Sequence, residues 1–396
     1  MSHTFALDKS CPETGARAGL ITTSRGAVPT PAFLPVGSQA AVKALGPDEV
    51  RAAGASIILA NTYHLHLRPG VGVIEKVGGL HRFMSWPGPI LTDSGGYQVF
   101  SLARLCRTAD EGVTFRSHVD GSEHFLTPEM VIQLQERLGS DIIMPLDECP
   151  PYCQEPELIR EAVRRTHVWA ERSRLARRRD DQALYGIVQG GAFPELRRQS
   201  AEFLASLGFD GYAIGGVSLG EPKQVMFSTI EETVGWLPED RPRYLMGVGS
   251  PEDILEAVAR GVDLFDSALP TRTARNGALF TASGRRNIQN ACYRDRDEPL
   301  DRDCGCYTCR HFSAAYLHHL FRSRELLAYR LATIHNLTFV LGLMRRIREA
   351  ILDGRFAALK RAFLAEYRTT DEETRLVQKQ KWLSSRTEPE SLAPFV

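Results

Sequence analysis

Eight short, β-rich apolar runs separated by helical stretches most constrain what this chain can fold into. They occupy residues 32–36, 56–60, 89–92, 142–146, 184–188, 212–214, 243–246 and 262–265. The segments between them read as helices with marked starts. Thr127-Pro128, Pro194 and Ser250-Pro251 each put Pro in a first turn, where its missing N–H costs nothing, and a Gly marks the far end. Eight strand–helix units match a (β/α)₈ TIM barrel, which needs roughly 250 residues. A doubly wound open sheet is the competing α/β solution, but no Gly-rich dinucleotide loop follows the first run. The expected class is therefore an α/β barrel, and the 396 residues leave room for an insertion.

Two stretches break the rhythm. Residues 97–126 hold alternating segments around Asp120-Gly121, a hairpin-type turn. After the eighth run comes GALFTASGRRNI, a second hairpin pattern, and then a cysteine cluster. The expected division is a catalytic barrel over 1–276 and 341–385, an inserted subdomain over 277–340, and a C-terminal tail over 386–396. In the insertion Cys304, Cys306 and Cys309 fall within six residues, a density that points to metal rather than disulfides. Three thiolates and one histidine make a closed tetrahedral zinc site, structural rather than catalytic. His335 can complete it, as can His311, His318 or His319.

Net charge is zero, from 48 basic and 48 acidic side chains, but the charges are unevenly placed. Residues 272–368 carry 18 Lys and Arg against 9 Asp and Glu, and residues 369–396 carry four against five, so residues 1–271 are net negative. A basic C-terminal third suits a phosphate-rich partner, although a solvated basic face gives the same excess. The start, MSHTFALDKS, lacks a basic n-region and an apolar h-region. No apolar run reaches the roughly 18 residues that span a bilayer. A cytoplasmic protein without membrane association is expected.

Barrel enzymes build their sites at the C-terminal strand ends. Those positions hold Asn61-Thr62 after the second run, Asp93 through Gln98 after the third and Asp147-Glu148-Cys149 after the fourth. Gln189-Gly190-Gly191, Gly215-Gly216, Met246-Gly247 and Asp266 close the remaining four. The set lacks the ligands of a catalytic metal and lacks a phosphate-binding glycine loop. It suits a planar heterocycle held by amide and carboxylate groups, with two further carboxylates to work on a glycosidic bond. Any one Asp could merely cap a following helix. Three at one mouth argue for a site.

The motifs DSGGYQVFSL, DECPPY, YGIVQGG, IGGVSLGE, MGVGSPED and FDSALPTRTARNG, in this order and ahead of CGCYTCRHF and TIHNL, resemble the tRNA-guanine transglycosylases. The similarity runs from about residue 33 to the helices near 365. It implies base exchange at the wobble position of tRNAs with a GUN anticodon. Guanine gives way to 7-aminomethyl-7-deazaguanine, a queuosine precursor, by double displacement through a covalent RNA–enzyme intermediate. The resemblance makes Asp266 the nucleophile at ribose C1′ and Asp93 the general acid/base. It gives the purine edge to Asp147 and Gln189, the ring carbonyl to the Gly216 N–H, and the aminomethyl group to the Val217 carbonyl. Tyr97 and Met246 would sandwich the ring, and Arg272 and Arg275 would hold anticodon nucleotides. The family's zinc histidine lies 26 residues beyond the third cysteine, which selects His335 for one structural Zn²⁺ per subunit. Implied partners are a tRNA anticodon stem-loop, the free 7-deazaguanine base and a second copy in a homodimer. One glycosidic bond replaces another, so neither ATP nor a redox cofactor is expected.

One stretch departs from the pattern. Many bacterial members have Leu-Ala-Val after the paired glycines, where this chain has Val217-Ser218-Leu219. A backbone-carbonyl contact tolerates Val at 217. Leu219 stands where queuine-using eukaryotic enzymes carry Gly, so its bulk is expected to block the cyclopentenediol of queuine. Cys149 also fits the bacterial pattern. Two rival readings are weaker. A zinc-dependent barrel hydrolase, suggested by His64 and His66, needs histidines where Gln189 and Gly215 stand. A non-catalytic RNA-binding subunit has no use for both Asp93 and Asp266.

Overall fold

The structure, a computed structural model, describes residues 3–102, 106–152, 155–369 and 377. The expected tail 386–396 lies outside the described residues, as does the barrel's expected last stretch 370–385 apart from Val377. Eight parallel strands close into a barrel: β1 (Ala32–Gly37), β2 (Ile58–Asn61), β3 (Ile90–Asp93) and β4 (Ile142–Ile143), then β5 (Ala183–Val188), β6 (Gly211–Ile214), β7 (Arg243–Leu245) and β8 (Leu264–Ser267). Each pairs with its sequence neighbours, and β8 closes on β1 with Phe265 opposite Phe33 and Asp266 opposite Leu34.

The continuous apolar runs follow from burial on both faces. Leu34, Leu59, Leu91, Ile142, Tyr185, Ala213, Tyr244 and Leu264 form one cluster, which fills the barrel. Their chain neighbours Phe33, Ile58, Ile90, Ile143, Leu184, Tyr212, Leu245 and Phe265 pack outward with the helices. Alternation with period two thus divides each strand between two cores. The helices begin and end as their sequences predict. Pro128–Leu138 is capped by the Thr127 hydroxyl, which accepts from the Met130 N–H, and Gly139 ends it in the left-handed region.

Two small sheets flank the barrel. An antiparallel meander, Thr4–Ser10, Arg17–Thr23 and Gly26–Thr30, is not foreshadowed by the sequence reading. Its Ile21, Val28 and Phe5 join the barrel-filling cluster, and His3 Nε2 meets the Tyr185 hydroxyl at 3.0 Å. Arg17 grips Asp263 at 2.6 and 2.9 Å beside it. This is the N-terminal, stability face of the barrel. A second sheet, Cys106–Ala109, Gly112–Arg116 and Glu123–Leu126, follows β3 and contains the hairpin expected around Asp120-Gly121.

After β8 come a helix, Leu269–Arg275, and the hairpin Ala278–Thr281/Gly284–Asn287. Helices Tyr307–His311, Ala314–Arg322, Leu326–Leu352 and Phe356–Glu366 follow. Leu279, Ile288, Tyr293, Leu300, Leu317, Leu320 and Leu331 form a core of their own, separate from the barrel. Helix Leu326–Leu352 serves both cores: Ala328 to Ala332 lie in the smaller one, and Leu337 to Ile351 in the larger. The division expected at 340/341 therefore falls inside one continuous helix. This helix is also long and apolar enough to cross a bilayer by length and composition, and most of its apolar stretch is buried inside the protein.

Candidate active site and metal centre

The C-terminal strand ends converge as the barrel requires. Asp93 ends β3 directly opposite Asn61 of β2, and Asn61 Nδ2 donates to Asp93 Oδ2 at 2.6 Å. Gln98 Nε2 donates to the same oxygen at 3.2 Å, and the Thr62 hydroxyl holds the Asp93 backbone carbonyl at 2.5 Å. The other carboxylate oxygen, Oδ1, is buried without a hydrogen-bond partner among the described residues. Burial, and then the charge of Asp266, push the Asp93 carboxyl up to about 8. Two carboxylates that share one mouth cannot both ionise freely. At neutral pH Asp93 keeps its proton.

Asp266, near the end of β8, is placed differently. The Tyr244 hydroxyl donates to its Oδ1 at 2.6 Å and the Gly247 N–H at 2.9 Å. Burial raises its pKa, while these two donors oppose the rise by favouring the ionised form. Sequence reasoning missed Tyr244. The signal was its register: two residues before Met246 on β7, it faces into the barrel.

A second group forms the wall across β4 to β6. Gln189 Nε2 donates to Asp147 Oδ2 at 2.8 Å, and the Ser94 hydroxyl donates to Asp147 Oδ1 at 3.2 Å. Burial raises the Asp147 carboxyl to about 6, moderated by these two bonds. Gly216 has φ +66°, and a Cβ there would come within 2.4 Å of Gln189 Oε1, so only glycine brings the backbone this close. Val217 and Cys149 are buried beside it. Burial lifts the Cys149 thiol to about 12, which keeps it neutral. The turn that follows is gathered by Glu221, also missed from sequence, whose carboxylate accepts from the N–H groups of Ser218, Leu219 and Gly220.

Tyr97 stands on the helix after β3, Gly96–Leu102, and Met246 directly follows β7. Tyr97 is 39% exposed, and Met246 packs against the barrel-filling cluster. Arg272 is exposed on helix Leu269–Arg275, and Arg275 is partly buried with Nη1 on the Thr271 carbonyl at 3.0 Å. His64 and His66 do not converge on the strand ends. His64 packs against Tyr63 and His118, and His66 Nε2 meets His124 Nδ1 at 3.2 Å.

The cysteine cluster forms a site of its own. One ligand atom from each of Cys304, Cys306, Cys309 and His335 lies within 4.8 Å of all the others. His335 Nδ1 is 3.7, 3.5 and 3.4 Å from the three sulfurs. With Zn–S near 2.3 Å and Zn–N near 2.0 Å, a tetrahedral S–N edge is about 3.5 Å, so the donor set fits that ion. The Phe280 carbonyl lies 2.6 Å from His335 Nε2, which fixes the proton there and turns Nδ1 to the sulfurs. Of the alternatives, His318 is tied to the Ile288 carbonyl at 2.8 Å, and His311 packs on Tyr307.

The queuine tRNA-ribosyltransferase family pattern matches residues 11–369. A queuine tRNA-ribosyltransferase of Dehalococcoides mccartyi is 55% identical over 392 residues, covering 99% of this chain and 100% of its own length. That of Moorella thermoacetica is 55% identical over 364 residues (92% of this chain, 98% of its own). That of Desulforudis audaxviator is 57% identical over 366 residues, with the same coverage. With a closed barrel, converging strand-end carboxylates and near-complete coverage in agreement, the chain belongs to the queuine tRNA-ribosyltransferase family, the tRNA-guanine transglycosylases.

Proposed function

We propose that this enzyme exchanges guanine at the wobble position of GUN-anticodon tRNAs for 7-aminomethyl-7-deazaguanine, a step of queuosine synthesis. The observation that carries the mechanism is the unequal pair: Asp93, buried with one orphaned oxygen and a proton at neutral pH, and Asp266, held by Tyr244 and Gly247. Asp266 attacks ribose C1′ as the guanine bond breaks, through an oxocarbenium-like state that its negative charge stabilises. Asp93 gives its proton to the departing base and takes one from the incoming base. A 7-deazapurine has no N7 to protonate and leaves poorly, so exchange runs one way.

Asp147 and Gln189 read the purine edge, the Gly216 N–H meets the ring carbonyl, and the Val217 carbonyl accepts from the aminomethyl group. Tyr97 and Met246 hold the ring faces. Leu219 closes the space a cyclopentenediol would need, which favours the aminomethyl base over queuine. Arg272 and Arg275 hold the unstacked anticodon loop, with the basic C-terminal third supplying phosphate attraction.

Cys304, Cys306, Cys309 and His335 would hold one structural Zn²⁺, which supplies a rigid tetrahedral anchor outside the chemistry. It would stiffen the subdomain over 277–340 beside the barrel, with helix Leu326–Leu352 shared between the two. Phe312 and Tyr316 stack at 5.4 Å, with Tyr307 beside Phe312 at 5.8 Å, and Tyr307 and Tyr316 are exposed. An aromatic surface of this kind supports a homodimer. A tRNA substrate implies work in the cytoplasm with no need of a membrane.

The test is trapping. Anticodon stem-loop RNA and a 7-deazaguanine-type base are incubated with enzyme and run on a denaturing gel. An RNA-linked band is expected for the wild type, and one that persists in Asp266→Ala would refute Asp266 as nucleophile.

A further inference from the structure

Helix Pro194–Leu207 packs on β5 behind the Gln189 wall. Its Arg197 is only 1% exposed. Nε donates to the Gly191 carbonyl at 2.9 Å and Nη1 to the Val188 carbonyl at 3.0 Å. Those carbonyls flank Gln189-Gly190, so one guanidinium ties both ends of the turn that presents the Gln189 amide. Gly190 permits the close approach of turn and helix: at φ +148° a Cβ there would lie 2.7 Å from the Arg197 backbone nitrogen and 3.0 Å from its Cγ. The remaining nitrogen, Nη2, is buried with no hydrogen-bond partner among the described residues. A Cβ on Gly216 would stand 3.4 Å from that Nη2 and 2.4 Å from Gln189 Oε1, so guanidinium, amide and Gly216 backbone meet at one point.

Stability alone gives no reason for this group. A buried cation loses its hydration, and an apolar residue of similar volume is often as stable or more so. Arg197 forms no salt bridge among the described residues; the Cys149 thiol and the Glu221 carboxylate are the acidic groups that act on its charge there. Burial lowers its pKa to about 10, so it remains charged at neutral pH. The charge therefore stands behind Gly216, with backbone carbonyls as its only hydrogen-bond partners among the described residues.

We infer that Arg197 is the positioning residue of the base pocket: it fixes the Gln189 amide and the Gly216 backbone, and sets a positive potential behind the wall that meets the purine carbonyl. The inference rests on the base-exchange reading above. Its consequence is selectivity for 6-oxopurines: the potential favours an electron-rich ring carbonyl and the base that departs with its bonding pair. Arg197 does this without touching the base, through Gln189 and Gly216.

The experiment measures incorporation of isotopically labelled guanine into anticodon stem-loop RNA by wild type, Arg197→Met and Arg197→Lys. Loss of the fork should raise the guanine KM at least about tenfold in Arg197→Met, since small displacements of positioning groups cost factors of this order. The RNA KM should stay within about twofold, because the anticodon contacts are elsewhere. Arg197→Lys keeps the charge but cannot span both carbonyls, so it should fall between the two. If Arg197→Met does not fold, the Lys variant carries the test. An unchanged guanine KM in a folded variant, with only kcat or the yield of folded protein reduced, overturns the inference. Failure of the wild type to incorporate guanine overturns the base-exchange reading instead, and the inference with it.

Discussion

Replacing Asp93 by Asn tests the electrostatics of the mouth through stability, independently of substrate. Asp93 has an ordinary carboxyl value of 3.8 in the unfolded chain and about 8 in the folded one, with burial the larger cause and Asp266 the second. A raised carboxyl destabilises the fold once the unfolded chain can ionise. Below pH 4 both states hold the proton and nothing is lost. Between pH 4 and 8 the unfolded chain releases it while the folded protein does not, so stability falls across this window and is level above it. A gap of about four units at 1.36 kcal/mol each sets a ceiling near 6 kcal/mol, and relaxation around a buried charge reduces this to about 3 kcal/mol.

Asn fits the same place. Its carbonyl can accept from Asn61 and Gln98, as Asp93 Oδ2 does at 2.6 and 3.2 Å, and its NH₂ takes the position of the orphaned Oδ1. The variant should therefore match the wild type in stability near pH 4 and exceed it by about 3 kcal/mol at pH 8.5. For a chain of this size the melting entropy is roughly 0.8 kcal/mol per kelvin, so the expected gain is about 4 °C in Tm. Calorimetry of both proteins at pH 4.5, 6.5 and 8.5 reads it, alongside loss of exchange activity. A Tm difference that does not change with pH would refute the raised, Asp266-coupled carboxyl on which the acid role of Asp93 rests.

Tyr244→Phe removes the 2.6 Å donor from Asp266 and leaves its charge less supported; kcat/KM should fall about ten- to a hundredfold, from roughly 1.5–3 kcal/mol for a hydrogen bond to a charged group. Rates equal to wild type would show that the hydroxyl does not serve the nucleophile. Cys309→Ser, or prolonged chelation, should release about one equivalent of zinc by elemental analysis, lower Tm by several degrees and weaken RNA binding. Full zinc content in the Ser variant would count against the Cys₃His assignment. Leu219→Gly should open the pocket beside Gly216 and let queuine compete with the aminomethyl base in tRNA exchange, and an unchanged preference would remove Leu219 as the determinant.

The barrel was legible because its strands are buried on both faces. Runs such as 184–188 are apolar without interruption, and polar strand-end residues such as Asp93 and Gln189 stand out against them. The N-terminal meander was not legible: Thr4–Ser10 is exposed at most positions, and only Phe5 of this strand reaches the barrel-filling cluster. The spacing of the cysteines announced a metal but left its histidine open; the family resemblance chose His335, and the physical reason lies in the carbonyls of Phe280 and Ile288, which come from distant chain and orient His335 and His318. Arg197 left a faint signal. It shares the buried stripe of its helix with Ser200, Ala201 and Leu204, at spacings of three, four and seven. An arginine on that stripe conflicts with the apolar pattern, and such conflicts concentrate where a site is being built.

The same contrast between satisfied and unsatisfied groups divides labour around the mouth. Asp147, on the wall from β4 to β6, has a donor on each oxygen and is raised only to about 6. A carboxylate with its lone pairs already engaged is held in one orientation, which suits reading a ligand edge. Asp93 has both its donors on one oxygen, bears the charge of Asp266, and rises to about 8. A carboxyl with one free oxygen and a proton near its release point suits transfer. Asp266 lies across β1 and β2 from Asp93, on the side of the barrel away from the β4 to β6 wall; under the roles proposed above, a base anchored on that wall would present its glycosidic bond to these two carboxyls. Reversing the hydrogen-bond patterns of Asp93 and Asp147 would leave a pocket that still bound the base but had no proton to give it.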